Sequence, residues 1–138
     1  MRIELNRLNE GIYFEGVSEE GNTVRMDGKA GSELGEGKAM SPMQLVLTAV
    51  AGCSVIDIVG ILKKQRQDLR DVKIVVDGDR ADAVPAPFTK VHIHFDFYGN
   101  LDETKVARAV ELGVDKYCSV GEMVNKTADI THSFKIHP

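Results

Sequence analysis

The chain is poor in cysteine: two, Cys53 and Cys118, in 138 residues. That is too few for a disulfide scaffold or a four-cysteine structural zinc site. It also lacks a basic excess, with a net charge of −4. Binding to phosphates or to an anionic membrane surface needs a net basic face, so neither nucleic acid nor membrane is expected as a partner. Internal repeats, low-complexity tracts and charge blocks are missing. The opening MRIELNRLNEGIYF alternates polar and apolar residues and holds no apolar signal-peptide core. The expectation is a cytoplasmic protein. In that compartment thiols rest reduced, and a disulfide is more often transient and catalytic than structural.

Only one long apolar run exists, LVLTAVAGCSVIDIVGIL from Leu45 to Leu62. It reaches the lower limit for a spanning helix. Asp57 sits within it, and a carboxylate at mid-bilayer costs about 2.5–3.5 kcal/mol on insertion scales. Thr48, Ser54 and two glycines point the same way, to a helix buried on most sides inside a soluble core. Hydrophobic residues at 43% and charged residues at 28% fit a globular domain rather than a disordered chain. One domain over residues 1–138 is expected.

The first third reads as strands at 2–8, 12–17 and 23–27, separated by Asn9-Glu10-Gly11 and by the turn at 18–22. Residues 28–40 carry four glycines and few large apolar groups, the composition of a mobile surface loop. Ser41-Pro42-Met43-Gln44 is a capping box with proline at the first helical position. The helix it opens runs to about Lys63–Arg66, where cations suit the negative end of the dipole. Strands are expected at 72–77 and 89–98, the second by its clear alternation. A helix starts near Asp102, with an apolar stripe of Val106, Val110, Val114, Tyr117 and Cys118. Ser119-Val120-Gly121-Glu122 then offers a second capping box and a short helix near 120–126. Residues 129–137 close as a strand. The pattern is α+β, with helices packed on mostly antiparallel sheet.

Taken alone, Cys53 reads as a small buried hydrophobe, because burial raises a thiol pKa and Asp57 one turn on disfavours a thiolate. Cys118 precedes a helix N-terminus, where the dipole favours an anion, yet it also belongs to an apolar stripe. Sequence does not place two sulfurs within bonding distance. If they meet, the economical chemistry is a thiol peroxidase: one thiolate takes a peroxide oxygen and the second condenses with the sulfenic acid. An external thiol then resets the pair by exchange. His92 and His94 share a strand face, and a metal site needs His132 beside them. Histidines on a solvated sheet face are the commoner case, and no metal or other cofactor is expected. Gly28, Gly31, Gly35 and Gly37 fit no phosphate-loop spacing.

The segments SPMQLVLTAVAGCSVIDIVGILKKQR, FTKVHIHFDFYG, LDETKVARAVELGVDKYCSV and ITHSFKI resemble, in that order, the osmotically inducible protein C and organic hydroperoxide resistance family (OsmC/Ohr). Both cysteines fall in its contexts, AGC and KYCSV. The resemblance implies an OsmC-like fold, with a long central helix between sheets in an intertwined homodimer. It makes Cys53 the peroxidatic residue and Cys118 the resolving one, with small hydrophobic peroxides as substrates and an external thiol or dithiol as reductant. Family peroxidases activate the first cysteine with an N-terminal arginine held by a glutamate near the start of the central helix. Here Met43 stands at that glutamate's position with Gln44 beside it, and neither is an acid. Arg25 is the nearest candidate arginine, while Arg2 and Arg7 match no better. The resemblance is to a branch marked by SPM…AGCS…ID, in which Arg25, Gln44 and Asp57 are the candidate supporting residues. The alternative is a non-catalytic dimeric stress protein that binds a small apolar ligand, or a redox sensor of the same fold.

Overall fold

The computed structural model describes residues 1–138 and clusters into two units, Met1–Val46 and Leu47–Pro138. In the first, three short strands form one antiparallel meander: β1 (Ile3–Arg7), β2 (Phe14–Ser18) and β3 (Thr23–Met26). The register runs Ile3 opposite Ser18 and Phe14 opposite Met26. The glycine-rich segment that follows, expected as a mobile loop, is closed on itself. The buried Asp27 carboxylate accepts from the Gly28 amide at 2.7 Å and the Lys38 amide at 3.0 Å, and the Gly37 amide donates to the Gly28 carbonyl at 3.1 Å. Those backbone bonds, led by that of Lys38, hold the Asp27 carboxyl below its ordinary range.

Helix α1 (Pro42–Lys64) starts where the capping box predicts. The Gln44 amide donates to Ser41 Oγ at 3.2 Å, and the Ser41 amide donates to Gln44 Oε1 at 2.8 Å. By length and hydropathy this helix is sufficient to cross a membrane. In the fold, Val50, Ser54, Ile58 and Leu62 recur every fourth residue and bury one face of it.

The second unit holds a three-stranded sheet in the order β4-β5-β6. Strands β4 (Asp68–Arg80) and β5 (Phe88–Asn100) are antiparallel, and both run further than their sequence signals. Strand β6 (Asp129–His137) pairs parallel with β5, so the sheet is mixed. Alternation along β5 sends Val91, Ile93, Phe95 and Phe97 into the core, each at most 1% exposed. Burying each contributes about 1.5–3 kcal/mol. The stacked rings of Phe95 and Phe97 lie 5.8 Å apart.

Helix α2 (Glu103–Glu111) is capped by Asp102, whose carboxylate accepts from the Lys105 amide at 3.0 Å. It does not end in an ordinary cap. It widens into a π-helical turn at Leu112–Lys116, then a break, then α3 (Ser119–Val124). The wider turn shifts the helical phase. Val106, Val110, Val114 and Cys118 stay buried, whereas Tyr117, expected in the same stripe, turns out to solvent.

Candidate active site

Two segments of the C-terminal unit bring the cysteines together. The first is the middle of α1, where Cys53 adjoins the fully buried Ser54. The second is the π turn with the start of α3, where Cys118 is only 4% exposed. Gly113 sets the approach. A Cβ there would stand 2.5 Å from Ile58 Cγ1 and 3.0 Å from the Ser54 carbonyl oxygen, so only glycine lets the turn press this close to α1.

Cys118 is itself the N-cap of α3. Its sulfur accepts from the Gly121 amide at 3.1 Å. The N-cap therefore lies one residue before Ser119: the Cys118 sulfur holds the Gly121 amide, where the capping box expected from sequence had the Ser119 hydroxyl on the Glu122 amide. The same thiol donates to the Val50 carbonyl at 3.7 Å, and the Ser54 hydroxyl donates to that carbonyl at 2.9 Å. Cys53 and Cys118 lie within side-chain interaction distance of each other, both as free thiols. Burial pushes the Cys118 thiol above its ordinary value. The Ser54 hydroxyl and Gly121 amide pull it down, and the Cys53 sulfur adds to the rise. A cleft of about 330 Å³ opens beside Cys118, between Lys116, Glu122, Asn125 and Asp129.

Arg25, Gln44 and Asp57, the supporting residues named from sequence, each have local surroundings of their own. Arg25 belongs to the N-terminal sheet, where its guanidinium donates to Glu15 Oε2 at 3.0 Å and to the Tyr13 hydroxyl at 3.0 Å. Gln44 serves the α1 cap. Asp57 lines an open groove with Ile56, Ile61 and Leu112. Sequence reasoning missed Ser54 and Gly113. A small polar residue directly after the cysteine, within an otherwise aliphatic run, was the available signal for Ser54.

His92 and His94 share the outer face of β5 and engage hydroxyls of β6. His92 reaches Thr131 Oγ1 at 2.7 Å and Ser133 Oγ at 2.9 Å, and His94 reaches Ser133 Oγ at 2.7 Å. His132 stands opposite Ile93 in the register, hence on the other face, and meets Asp115 at 3.3 Å. Asp96 is held below its ordinary range chiefly by the His137 hydrogen bond, at 2.8 Å.

The family model for OsmC-like protein matches residues 35–133, which takes in both cysteines, the helices and strands from α1 to α3, and the first half of β6. The chain belongs to the OsmC-like family. Among OsmC-like proteins it is 44% identical over 128 residues to Protein YhfA of Escherichia coli strain K12, covering 92% of each chain. A hypothetical protein from Aquifex aeolicus VF5 is similar at 30% identity and TM-score 0.80, over 99% of this chain and 97% of that one. The organic hydroperoxide resistance protein OsmC of Legionella pneumophila shares this OsmC-like fold. It has a TM-score of 0.70 at 19% identity, over 98% and 97% of the two chains.

Proposed function

We propose that this OsmC-like protein is a thiol peroxidase for small organic hydroperoxides, with Cys53 as the nucleophile and Cys118 as its resolving partner. The observation that carries the reading is that the half-buried Cys53 and the buried Cys118, from segments far apart in the chain, lie within side-chain interaction distance of each other. Some members of the family are hydroperoxide resistance proteins, among them the Legionella protein. In the reaction, the Cys53 thiolate attacks the outer peroxide oxygen, the O–O bond breaks, and an alcohol leaves with one proton. Cys118 then attacks the sulfur of the Cys53 sulfenic acid, water leaves, and the Cys53–Cys118 disulfide remains. Two equivalents of an external thiol, or one dithiol, return the pair to free thiols.

The face of α1 opposite its buried stripe is apolar too, and Ile56 there is 72% exposed in the single chain. A helix apolar all round belongs in an interior. In this reading a second copy covers that face, giving a homodimer, and the apolar surroundings favour peroxides with hydrocarbon tails. The resting place is a reducing cytoplasm, where thiol reductants are at hand.

The test is consumption of cumene hydroperoxide by the reduced protein with a thiol reductant. Cys53→Ser abolishes turnover. Cys118→Ser permits one oxidation, trapped as a sulfenic acid at Cys53. A wild-type protein that leaves the peroxide untouched refutes the assignment. The second reading is a ligand-binding protein with inert cysteines, favoured by the burial that raises the Cys118 thiol. It predicts an apolar small molecule retained through purification and thiols that survive excess peroxide.

A further inference from the structure

Ser54 takes no part in bond making at the two sulfurs, yet its hydroxyl lies in the innermost part of the site. It is fully buried, and it donates to the Val50 carbonyl at 2.9 Å, the same oxygen to which the Cys118 thiol points at 3.7 Å. Two donors on one acceptor place Ser54 Oγ beside Cys118 Sγ. We propose that Ser54 is a positioning residue for Cys118: its hydroxyl rests on the Val50 carbonyl in the dithiol and turns onto the Cys118 sulfur when that sulfur carries charge. The inference rests on the peroxidase reading for its place in a cycle, but not for its geometry.

A Cys118 thiolate has two donors within reach, the Gly121 amide at 3.1 Å and the Ser54 hydroxyl. Each serves the charged form, because a thiolate accepts and no longer donates to Val50. The other titratable groups around Cys118 are Cys53 on α1 and, around the open cleft, Asp115, Lys116, Glu122 and Asp129. The first is a sulfur that disfavours a second negative charge, and three of the rest are acids. A neutral hydroxyl stabilises the anion there without adding a buried cation.

In the cycle, Cys118 Sγ attacks Cys53 Sγ of the sulfenic acid as the S–O bond breaks. The thiol proton departs with the hydroxide as water, and two electrons pass from the Cys118 sulfur into the new disulfide. Ser54 donates to Cys118 Sγ as charge develops on it, and again when an external thiol expels it from the disulfide. A hydrogen bond to a charged group is worth roughly tenfold or more in equilibrium.

The experiment measures the pH profile of Cys118 alkylation by iodoacetamide in the Cys53→Ser background, with Ser54 intact or replaced. No peroxide is involved, so failure of the peroxidase reading leaves this measurement intact. Ser54→Ala is expected to move the profile up by about one pH unit, a tenfold loss of thiolate at fixed pH. Ser54→Thr is expected to restore it. With both cysteines present, Ser54→Ala is expected to slow disulfide closure about tenfold, with more of the Cys53 sulfenic acid trapped by dimedone. Should Ser54→Ala fail to fold, Ser54→Val measured against Ser54→Thr compares two side chains of one shape with and without the hydroxyl. An alkylation profile unmoved by loss of the hydroxyl overturns the proposal.

Discussion

Replacing Gly113 by alanine tests the packing that brings the sulfurs together. The added methyl would sit 2.5 Å from Ile58 Cγ1, 3.2 Å from its Cδ1 and 3.0 Å from the Ser54 carbonyl oxygen. Carbon atoms at rest prefer about 3.5–4.0 Å, so something must move by about 1 Å. Neither neighbour yields easily. Ile58 is fully buried, and the oxygen belongs to the α1 backbone. Overpacking of this kind costs about 1–3 kcal/mol. Alanine returns at most about 1 kcal/mol of helical propensity, less in a π turn than in a regular helix. The net expectation is a loss of about 1–2 kcal/mol, or about 3–7 °C in Tm for a chain of this size. Urea denaturation followed by circular dichroism reads it directly. An unchanged or raised midpoint would mean that the turn does not press on α1 as described.

Other perturbations follow from the same structure. Phe95→Ala removes a fully buried ring stacked on Phe97 and is expected to cost about 3–5 kcal/mol, read by the same denaturation. Asp27→Asn leaves an amide group where a carboxylate accepts from two backbone amides. The folded carboxyl lies below its ordinary value of 3.8, so its contribution is complete above that pH and is lost as pH falls through the lower folded value. The variant should be less stable at neutral pH, and that part of its acid limb should flatten. Ile56→Asp places a charge on the uncovered face of α1; sedimentation is expected to show a dimer for the parent and a monomer for the variant.

Much of this was legible in the chain. Pro42 after Ser41, with Gln44 three residues on, marks the start of α1 by local chemistry alone. Alternation from Asp129 to His137 fixes β6 to the residue. What escaped depends on partners distant in sequence. The parallel pairing of β5 with β6 is a choice of topology that neither strand's pattern encodes. The π turn carries Gly113 against Ile58, and its wider winding leaves Tyr117 off the stripe that a regular helix would give it. Cys118 caps α3 because its sulfur is drawn inward toward Val50, so the Ser119 motif misleads by one residue. The cysteine pair itself was nameable by resemblance, but its contact is a property of packing.

The most direct measurement is a thiol count on the reduced protein before and after one equivalent of cumene hydroperoxide, quenched in denaturant, with peptide mass mapping. The account predicts that both thiols vanish together and that the Cys53 and Cys118 peptides appear linked by a disulfide. Two free thiols persisting through a large excess of the peroxide would contradict it.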